Sequence, residues 1–236
     1  MLVLAMDTAT PRVSVALGRD GHVIAELQIA TDTTRGSRAR RHAELLAPGI
    51  QALCEQAGVE LAQLAAIAVD EGPGLFTGLR VGVTTAKVMA QMLAIPVVPV
   101  PSLDLVAYPL RHSPRRIVAV LDARRREVFT ASYWPVPGGV QRDSDYQVMS
   151  PEDLVAELAG SGDELLLAGD GVERHGDLFA QLERADTAGR AYAAPGAVAL
   201  LELATARAQR EEFVAPDALL PRYLRQSDAE ISWERV

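Results

Sequence analysis

Short apolar runs alternate with longer amphipathic stretches along this chain, and their order predicts a mixed α/β fold. Residues 2–6 form a continuous apolar run closed by Asp7, the pattern of a strand covered on both faces. Residues 13–17 and 22–29 read as two further strands, joined through Gly18-Arg19-Asp20-Gly21 in a hairpin turn. After a polar connection over 31–41, Leu45, Leu46, Ile50 and Leu53 recur at helical spacing, and that helix ends near Gly58. Residues 66–70 restore a buried strand, 77–93 a helix and 95–100 a short strand.

The stretch 109–116 carries two prolines, one serine and four basic or potentially basic residues, and marks the division between two units, 1–108 and 115–236. The second unit opens like the first, with an apolar strand over 117–121 that ends in Asp122. Residues 127–134 supply its partner and 141–148 a third strand, followed by a helix over 151–158 and a buried strand over 164–168. Pro195 starts a last amphipathic helix reaching Gln209, and this helix and the tail beyond it are able to pack back on the first unit. The shared opening rhythm points to a structural duplication. Two similar mixed α/β units fit this order better than a β-sandwich or a helix bundle.

Composition narrows the class. The 236 residues carry a formal charge of -8, which disfavours broad attraction to a polyanion while leaving room for a local basic patch. Cys54 is the one cysteine, so an intrachain disulfide and a cysteine-rich metal site are both excluded. The N-terminal apolar run lacks a basic leader and meets Asp7 at once, and no apolar run approaches the roughly 18 residues of a membrane span. The expectation is a cytoplasmic protein with no membrane association.

The densest chemical signal is Glu71-Gly72-Pro73-Gly74-Leu75-Phe76-Thr77-Gly78-Leu79-Arg80, after which Gly82, Ala86 and Ala90 continue a small-residue stripe at every fourth position. A helix-interior glycine costs roughly 0.5–1 kcal/mol relative to alanine, so the stripe implies that something approaches the backbone closely. A helix of the same subunit, a second subunit or a ligand phosphate would serve. The block is neither a Walker phosphate loop nor a dinucleotide fingerprint. Asp7, Asp122 and Asp170 end strands, and they either satisfy backbone donors at turns or surround a nucleotide phosphate and magnesium. Lys87 reads as a solvent-facing residue, and Arg80 suits an anion or a surface ion pair. His42 lacks a second ligand one turn on, where Leu45 and Leu46 stand, so a zinc hydrolase helix is not formed. Two basic clusters, Arg35, Arg38, Arg40 and Arg41, and Arg124, Arg125 and Arg126, suit a solvated face, a protein interface or RNA phosphates.

Taken in order, Ala5-Met6-Asp7-Thr8-Ala9-Thr10, His42-Ala43-Glu44-Leu45-Leu46, the 72–80 block, Asp122-Ala123-Arg124 with Glu127-Val128-Phe129, and Pro221-Arg222-Tyr223-Leu224-Arg225 resemble the bacterial TsaB family, also called YeaZ. The resemblance spans nearly the whole chain. It implies an actin-like and sugar-kinase-like (ASKHA) fold and a role in making threonylcarbamoyladenosine at position 37 of tRNAs that read codons beginning with adenine. It further implies a noncatalytic subunit that supports the related catalytic subunit TsaD, works with the ATPase TsaE, meets tRNA through the complex, and self-associates as a homodimer through the same helical face. No catalytic residue and no metal ligand is implied here. ATP, ADP and magnesium belong to the assembled pathway, with weak nucleotide binding at a degenerate site of Asp7, Thr8, Asp122 and Asp170. Relatives often carry Ser or Thr where this chain has Leu75, a change that favours packing over phosphate binding.

On that basis the partner face is expected from Leu45, Ile50, Gly74, Phe76, Gly78, Leu79, Arg80, Gly82, Val83, Ala86 and Met89, with the two glycines Gly78 and Gly82 drawing the surfaces together. Arg222, Tyr223, Leu224 and Arg225 are expected to dock on a partner or fold back on their own domain. A different class stays open, an independent magnesium-dependent ATPase or small-molecule kinase built on Asp7, Asp122 and Asp170.

Overall fold

The computed structural model describes residues 1–30 and 38–225, leaving aside the side chains of 38–40. The first half of the chain runs β1 (Leu2–Asp7), β2 (Arg12–Arg19), β3 (His22–Ala30), α1 (Arg38–Ala57), β4 (Ala66–Gly72), α2 (Phe76–Leu93), β5 (Val97–Pro101) and α3 (Ser102–Ala107). The second runs β6 (Arg116–Arg124), β7 (Glu127–Val136), β8 (Gly139–Arg142), β9 (Gln147–Met149), α4 (Pro151–Ser161), β10 (Leu165–Ala168), α5 (Asp170–Arg174), α6 (Gly176–Phe179), β11 (Ala185–Thr187) and α7 (Ala197–Gln209). Two compact units result, Met1–Leu105 with Ala194–Pro221, and Val106–Ala193 with Arg222–Val236. Among the described residues, no helix is long and apolar enough to cross a membrane.

The first unit is a five-stranded sheet in the order β3-β2-β1-β4-β5. Strand β1 lies at its centre, antiparallel to β2 and parallel to β4, which is why its whole sequence is apolar up to Asp7. Side chains alternate across the sheet, and the two faces differ in size. Leu2, Leu4, Met6, Val13, Val15, Leu17, Ile67 and Val69 share one core with Leu46, Ile50, Leu53, Val83, Ala86 and Ala90 of α1 and α2. The alternate positions are small, including Ala5, Ser14, Ala16, Gly18 and Ala68. Helix α7 packs on β1, β2, β4 and β5. Ser14 Oγ accepts from the Ala197 amide at its start (3.0 Å), and a Cβ on Gly18 would stand 2.2 Å from Leu201 Cδ2. Small residues on this face let an alanine-rich helix lie close.

The second unit is a six-stranded sheet in the order β11-β10-β6-β7-β8, with β9 also paired to β7. Its central β6 is antiparallel to β7 and parallel to β10, repeating the relation of β1 to β2 and β4. The core joins Val118, Val120, Val128 and Leu167 to Leu154, Leu158, Val172 and Phe179.

Three expectations change. The third strand expected over 141–148 is two strands, β8 and β9, each paired separately to β7. The hairpin turn narrows to Asp20 and Gly21, both at positive φ (53° and 83°), where an Asp-Gly pair suits the strand twist. Of the span 115–236, Ala194–Pro221 groups with the first unit, where the last helix packs back as its pattern allowed, whereas the tail from Arg222 groups with the second. In the first unit α7 buries Ala197, Leu200, Leu201, Ala204 and Ala208 against the sheet. We expect Leu200→Ala, at a fully buried α7 position, to lower the unfolding free energy by about 2–5 kcal/mol in a urea titration. An unchanged midpoint would show that α7 contributes nothing to the first unit's core.

Candidate functional site

In the first unit the glycine block seats directly on the turn after β1. Thr8 Oγ1 donates to the Gly78 carbonyl (2.8 Å), and the Leu75 amide donates to the Ala9 carbonyl (2.7 Å). A Cβ on Gly74 would lie 2.4 Å from the Ala9 oxygen, one on Gly78 2.1 Å from the Thr8 oxygen, and one on Gly82 2.4 Å from Thr8 Oγ1. At Gly74 and Gly78 the obstruction is backbone, which cannot swing aside. The small-residue stripe is therefore matched to the subunit's own β1–β2 turn. The close approach expected of a partner at Gly78 and Gly82 is thus made by the subunit's own turn.

The same holds for part of the apolar list. Ile50, Leu79, Val83 and Ala86 are buried, with Ile50, Val83 and Ala86 in the sheet core, while Leu45 and Met89 are half-buried against it. What α2 presents outward is a stripe of Thr77, Arg80, Thr84, Val88 and Met92, of which Val88 is 47% and Met92 82% exposed. Phe76 is half-buried and carries the Arg80 guanidinium 3.9 Å above its ring, a contact one helical turn apart. Beside this stripe, α1 and α2 enclose a groove of about 740 Å³ lined by Ala47, Ile50, Cys54, Val59, Leu61 and Met89. Lys87 is tied down, its Nζ donating to the Asp217 carbonyl (2.8 Å).

Beneath the glycine contact lies a pair of carboxyl groups. Strands β1 and β4 pair from Val3 opposite Ala66 to Met6 opposite Val69, so Asp7 and Asp70 stand side by side one residue further on. Both are buried. Asp7 Oδ1 accepts the Ala9 amide (2.8 Å), and Asp70 Oδ1 accepts the Gly72 amide (2.8 Å) and the Ser102 hydroxyl (2.5 Å). That leaves Asp7 Oδ2 and Asp70 Oδ2, both buried and without a partner when both groups are ionised. One proton shared between them satisfies both oxygens. Burial pushes both carboxyls up from their ordinary range, Asp70 well above it, with the neighbouring Asp7 charge adding to the effect on Asp70. His42, fully buried, closes the site: its Nε2 lies 2.9 Å from the Thr10 carbonyl, which can only accept, so Nε2 carries the hydrogen. Sequence reasoning singled out Asp7 but read Asp70 only as the end of a strand and Ser102 only as a serine without a nucleophile's setting, and paired neither with Asp7. The signal was present, since Ala5-Met6-Asp7 and Ala68-Val69-Asp70 end two strands in the same way.

In the second unit Asp122 is the organising acid. Its side chain is 5% exposed, its Oδ1 accepts the Arg124 amide (2.9 Å), and its Oδ2 meets Arg124 Nη1 (2.9 Å) and Arg174 Nη1 (3.4 Å). Asp170 Oδ1 accepts the Asp122 amide (2.9 Å), and desolvation lifts its pKa to about 6. Gly169 and Gly171 let this turn lie on Val120, whose carbonyl oxygen would be 2.0 Å from a Cβ on Gly169. The turn between β6 and β7 places Arg124, Arg125 and Arg126 at φ of 64°, 53° and 63°. Three successive non-glycine residues in the left-handed region cost of order 1 kcal/mol each. Sequence reasoning saw a basic cluster and missed the strain.

The tail lies on its own second unit. The Arg222 guanidinium stands 5.3 Å over Tyr146, whose ring also carries Arg142 at 4.0 Å, and Arg225 Nη1 pairs with Glu127 Oε2. Tyr223 is exposed and Leu224 half-buried. Of the other basic cluster, Arg35 and the side chains of Arg38 and Arg40 lie outside the described residues, and Arg41 is half-buried.

These groups do not fit a magnesium-bound phosphate. Asp7 is shut in beside Asp70, Thr8 is committed to Gly78, Asp122 is neutralised by two arginines, and Asp170 is held by a backbone amide. Among the described residues no three His, Cys, Asp or Glu side chains come together as metal ligands.

A family model described as tRNA N6-adenosine threonylcarbamoyltransferase, TsaD, matches residues 36–233. The tRNA threonylcarbamoyladenosine biosynthesis protein TsaB of Bacillus subtilis is 30% identical over 99% of this chain and 98% of its own length. The protein of the same description from Escherichia coli is 28% identical over 100% and 98%. YeaZ from Pseudomonas aeruginosa superposes with a TM-score of 0.78 at 28% identity, covering 94% of this chain and 100% of that one. The chain belongs to this threonylcarbamoyltransferase-related family and, within it, to the TsaB (YeaZ) branch.

Two substitutions test the site. Gly78→Ala sets a methyl group against the Thr8 carbonyl and is expected to cost more than about 2 kcal/mol of stability in urea unfolding; a neutral result would mean that α2 is not seated on this turn. Asp70→Asn replaces the shared proton with a fixed amide donor to Asp7. Because the folded-state pKa of Asp70 is raised, the wild type loses stability as pH rises above about 4 through that pKa. The variant's advantage in urea midpoint is therefore expected to be larger at pH 8 than at pH 5, and an advantage independent of pH would refute the shared proton.

Proposed function

We propose that this chain is the noncatalytic accessory subunit of a cytoplasmic assembly that installs threonylcarbamoyl on adenosine 37 of tRNAs reading codons that begin with adenine, and that it supports the catalytic subunit TsaD. The observation that carries the reading is the end-to-end match to TsaB proteins, together with a candidate site in which Asp7 and Asp70 are buried side by side and Asp122 is paired with two arginines. An acid that must release or bind a proton, or hold magnesium, needs an open coordination position. The buried pair of Asp7 and Asp70 and Asp122, held by two arginines, offer none. ATP, magnesium and the TsaE ATPase then belong to the assembly, not to chemistry on this chain. An independent kinase or ATPase is disfavoured for the same reason. The recurrence in each unit of a central strand, antiparallel to the next and parallel to a later one, supports an actin-like and sugar-kinase-like ancestry.

The docking face follows from what the core leaves outside. TsaD is related to this chain over most of its length, and related folds pair readily through equivalent faces in a quasi-twofold arrangement. The α1–α2 groove with Val88 and Met92 beside it is the apolar surface we assign to TsaD, and to a second copy of this chain when TsaD is absent. tRNA is met within the complex.

Two measurements test this. Omitting only this chain from a reconstitution with TsaD, TsaE, the enzyme that makes the threonylcarbamoyl adenylate, tRNA, threonine, bicarbonate and ATP is expected to abolish efficient modification. Full activity without it would end the accessory reading. In titrations with TsaD, the Val88→Glu, Met92→Glu double variant is expected to lose at least about tenfold in affinity with an unchanged Tm; wild-type affinity would place the interface elsewhere.

A further inference from the structure

We propose that the arginine-bearing turn between β6 and β7 is a direct contact for the tRNA backbone, with Arg125 and Arg126 at its tip and Arg174 alongside Arg124 holding phosphodiester groups. This rests on the reading of the chain as part of a tRNA-modifying assembly.

The argument begins with the turn. Residues 125 and 126 are the two central positions of a tight hairpin, since Arg124 pairs with Glu127, and both have positive φ. Asn-Gly or Asp-Gly suits such a turn, as at Asp20-Gly21 in the other unit. Arginine is strained there, and both side chains are exposed, so packing does not explain them. Their use lies at the surface. Arg126 makes no ion pair with any described residue. Arg124 and Arg174 converge on one carboxylate of Asp122, whose side chain is 5% exposed, so two guanidiniums are oriented by a single buried acid. Arg225, paired with Glu127, adds another cation at the foot of the turn. Arg124, Arg125, Arg126, Arg174 and Arg225 thus gather around this turn, on a protein whose total charge is -8. The planar guanidinium fork matches phosphate oxygens. Residues 122–127 expose no apolar side chain, which argues against a protein partner needing a buried anchor and for a polyanion.

The test is fluorescence anisotropy of a labelled, unmodified tRNA transcript titrated with the full chain at low salt. Arg125→Glu with Arg126→Glu is expected to weaken binding at least about tenfold and to flatten the log–log salt dependence by about 2. Arg125→Lys with Arg126→Lys retains most of the affinity. Arg125→Asn with Arg126→Gly relieves the turn, so Tm is expected to rise by about 2–4 °C while tRNA affinity falls. Wild-type affinity in the glutamate variant, or a lower Tm in the Asn-Gly variant, would overturn the proposal. So would displacement of the tRNA by millimolar magnesium-ATP, which would assign the arginines to a nucleotide. The omission experiment reads the accessory role independently. Modification that depends on the chain, combined with unimpaired tRNA binding by the glutamate variant, rejects this contact alone; lost binding with modification undiminished by omission rejects the accessory role alone.

Discussion

One backbone-to-backbone contact organises the first unit: α2 lies directly on the carbonyls of Thr8 and Ala9, at a separation that admits no side chain on Gly74 or Gly78. The consequences run outward from there. Seating the helix this low buries the ends of β1 and β4 beneath it, and two carboxyl groups are shut in together. Desolvation at that depth disfavours two negative charges, which raises the pKa of both carboxyl groups. The turn after β1 is then fastened by Thr8 on one side and His42 on the other. Residues at the start of a strand-ending turn, suited in other settings to gripping a phosphate, are spent here on holding a helix.

The second unit repeats the strand relations with different chemistry. Its central strand also ends in aspartate, but Asp122 reaches the boundary of solvent and is neutralised by Arg124 and Arg174. The glycine contact recurs on a smaller scale, where Gly169 and Gly171 lie on Val120. The difference lies in what the turn carries. The β2–β3 turn has Asp20 and Gly21 at its positive-φ positions, whereas the turn after β6 has arginines there, and the strain is retained.

Much of this was legible in the chain. Continuous apolar runs ending in Asp7 and Asp122 marked both central strands, and Leu45, Leu46, Ile50 and Leu53 marked a helix. The stripe of Gly78, Gly82, Ala86 and Ala90 correctly signalled close approach; what approaches is a tertiary fact that spacing cannot supply. Periodicity cannot distinguish a helix face turned to its own sheet from one turned to a partner, so Val83 and Ala86 read as readily outward as inward. Asp70 read only as the end of a strand because its significance arises from register with Asp7 across a parallel pair that requires an intervening helix. The return of α7 to the first unit was foreshadowed by an amphipathic pattern after Pro195, yet no local residue states which sheet it will cover. The positive φ of Arg124, Arg125 and Arg126 contradicts local preference, and local preference was the information at hand.

On the function proposed for it, this subunit of the TsaB branch presents the outer face of its two long helices to TsaD. Hydroxyl-radical footprinting of the chain alone and with TsaD tests this most directly, because Met92 is 82% exposed and Met6 fully buried, and methionine reports solvent access through oxidation. The account predicts that adding TsaD suppresses oxidation of Met92 while Met6 stays unreactive throughout. Oxidation of Met92 at the same rate with TsaD bound would contradict it.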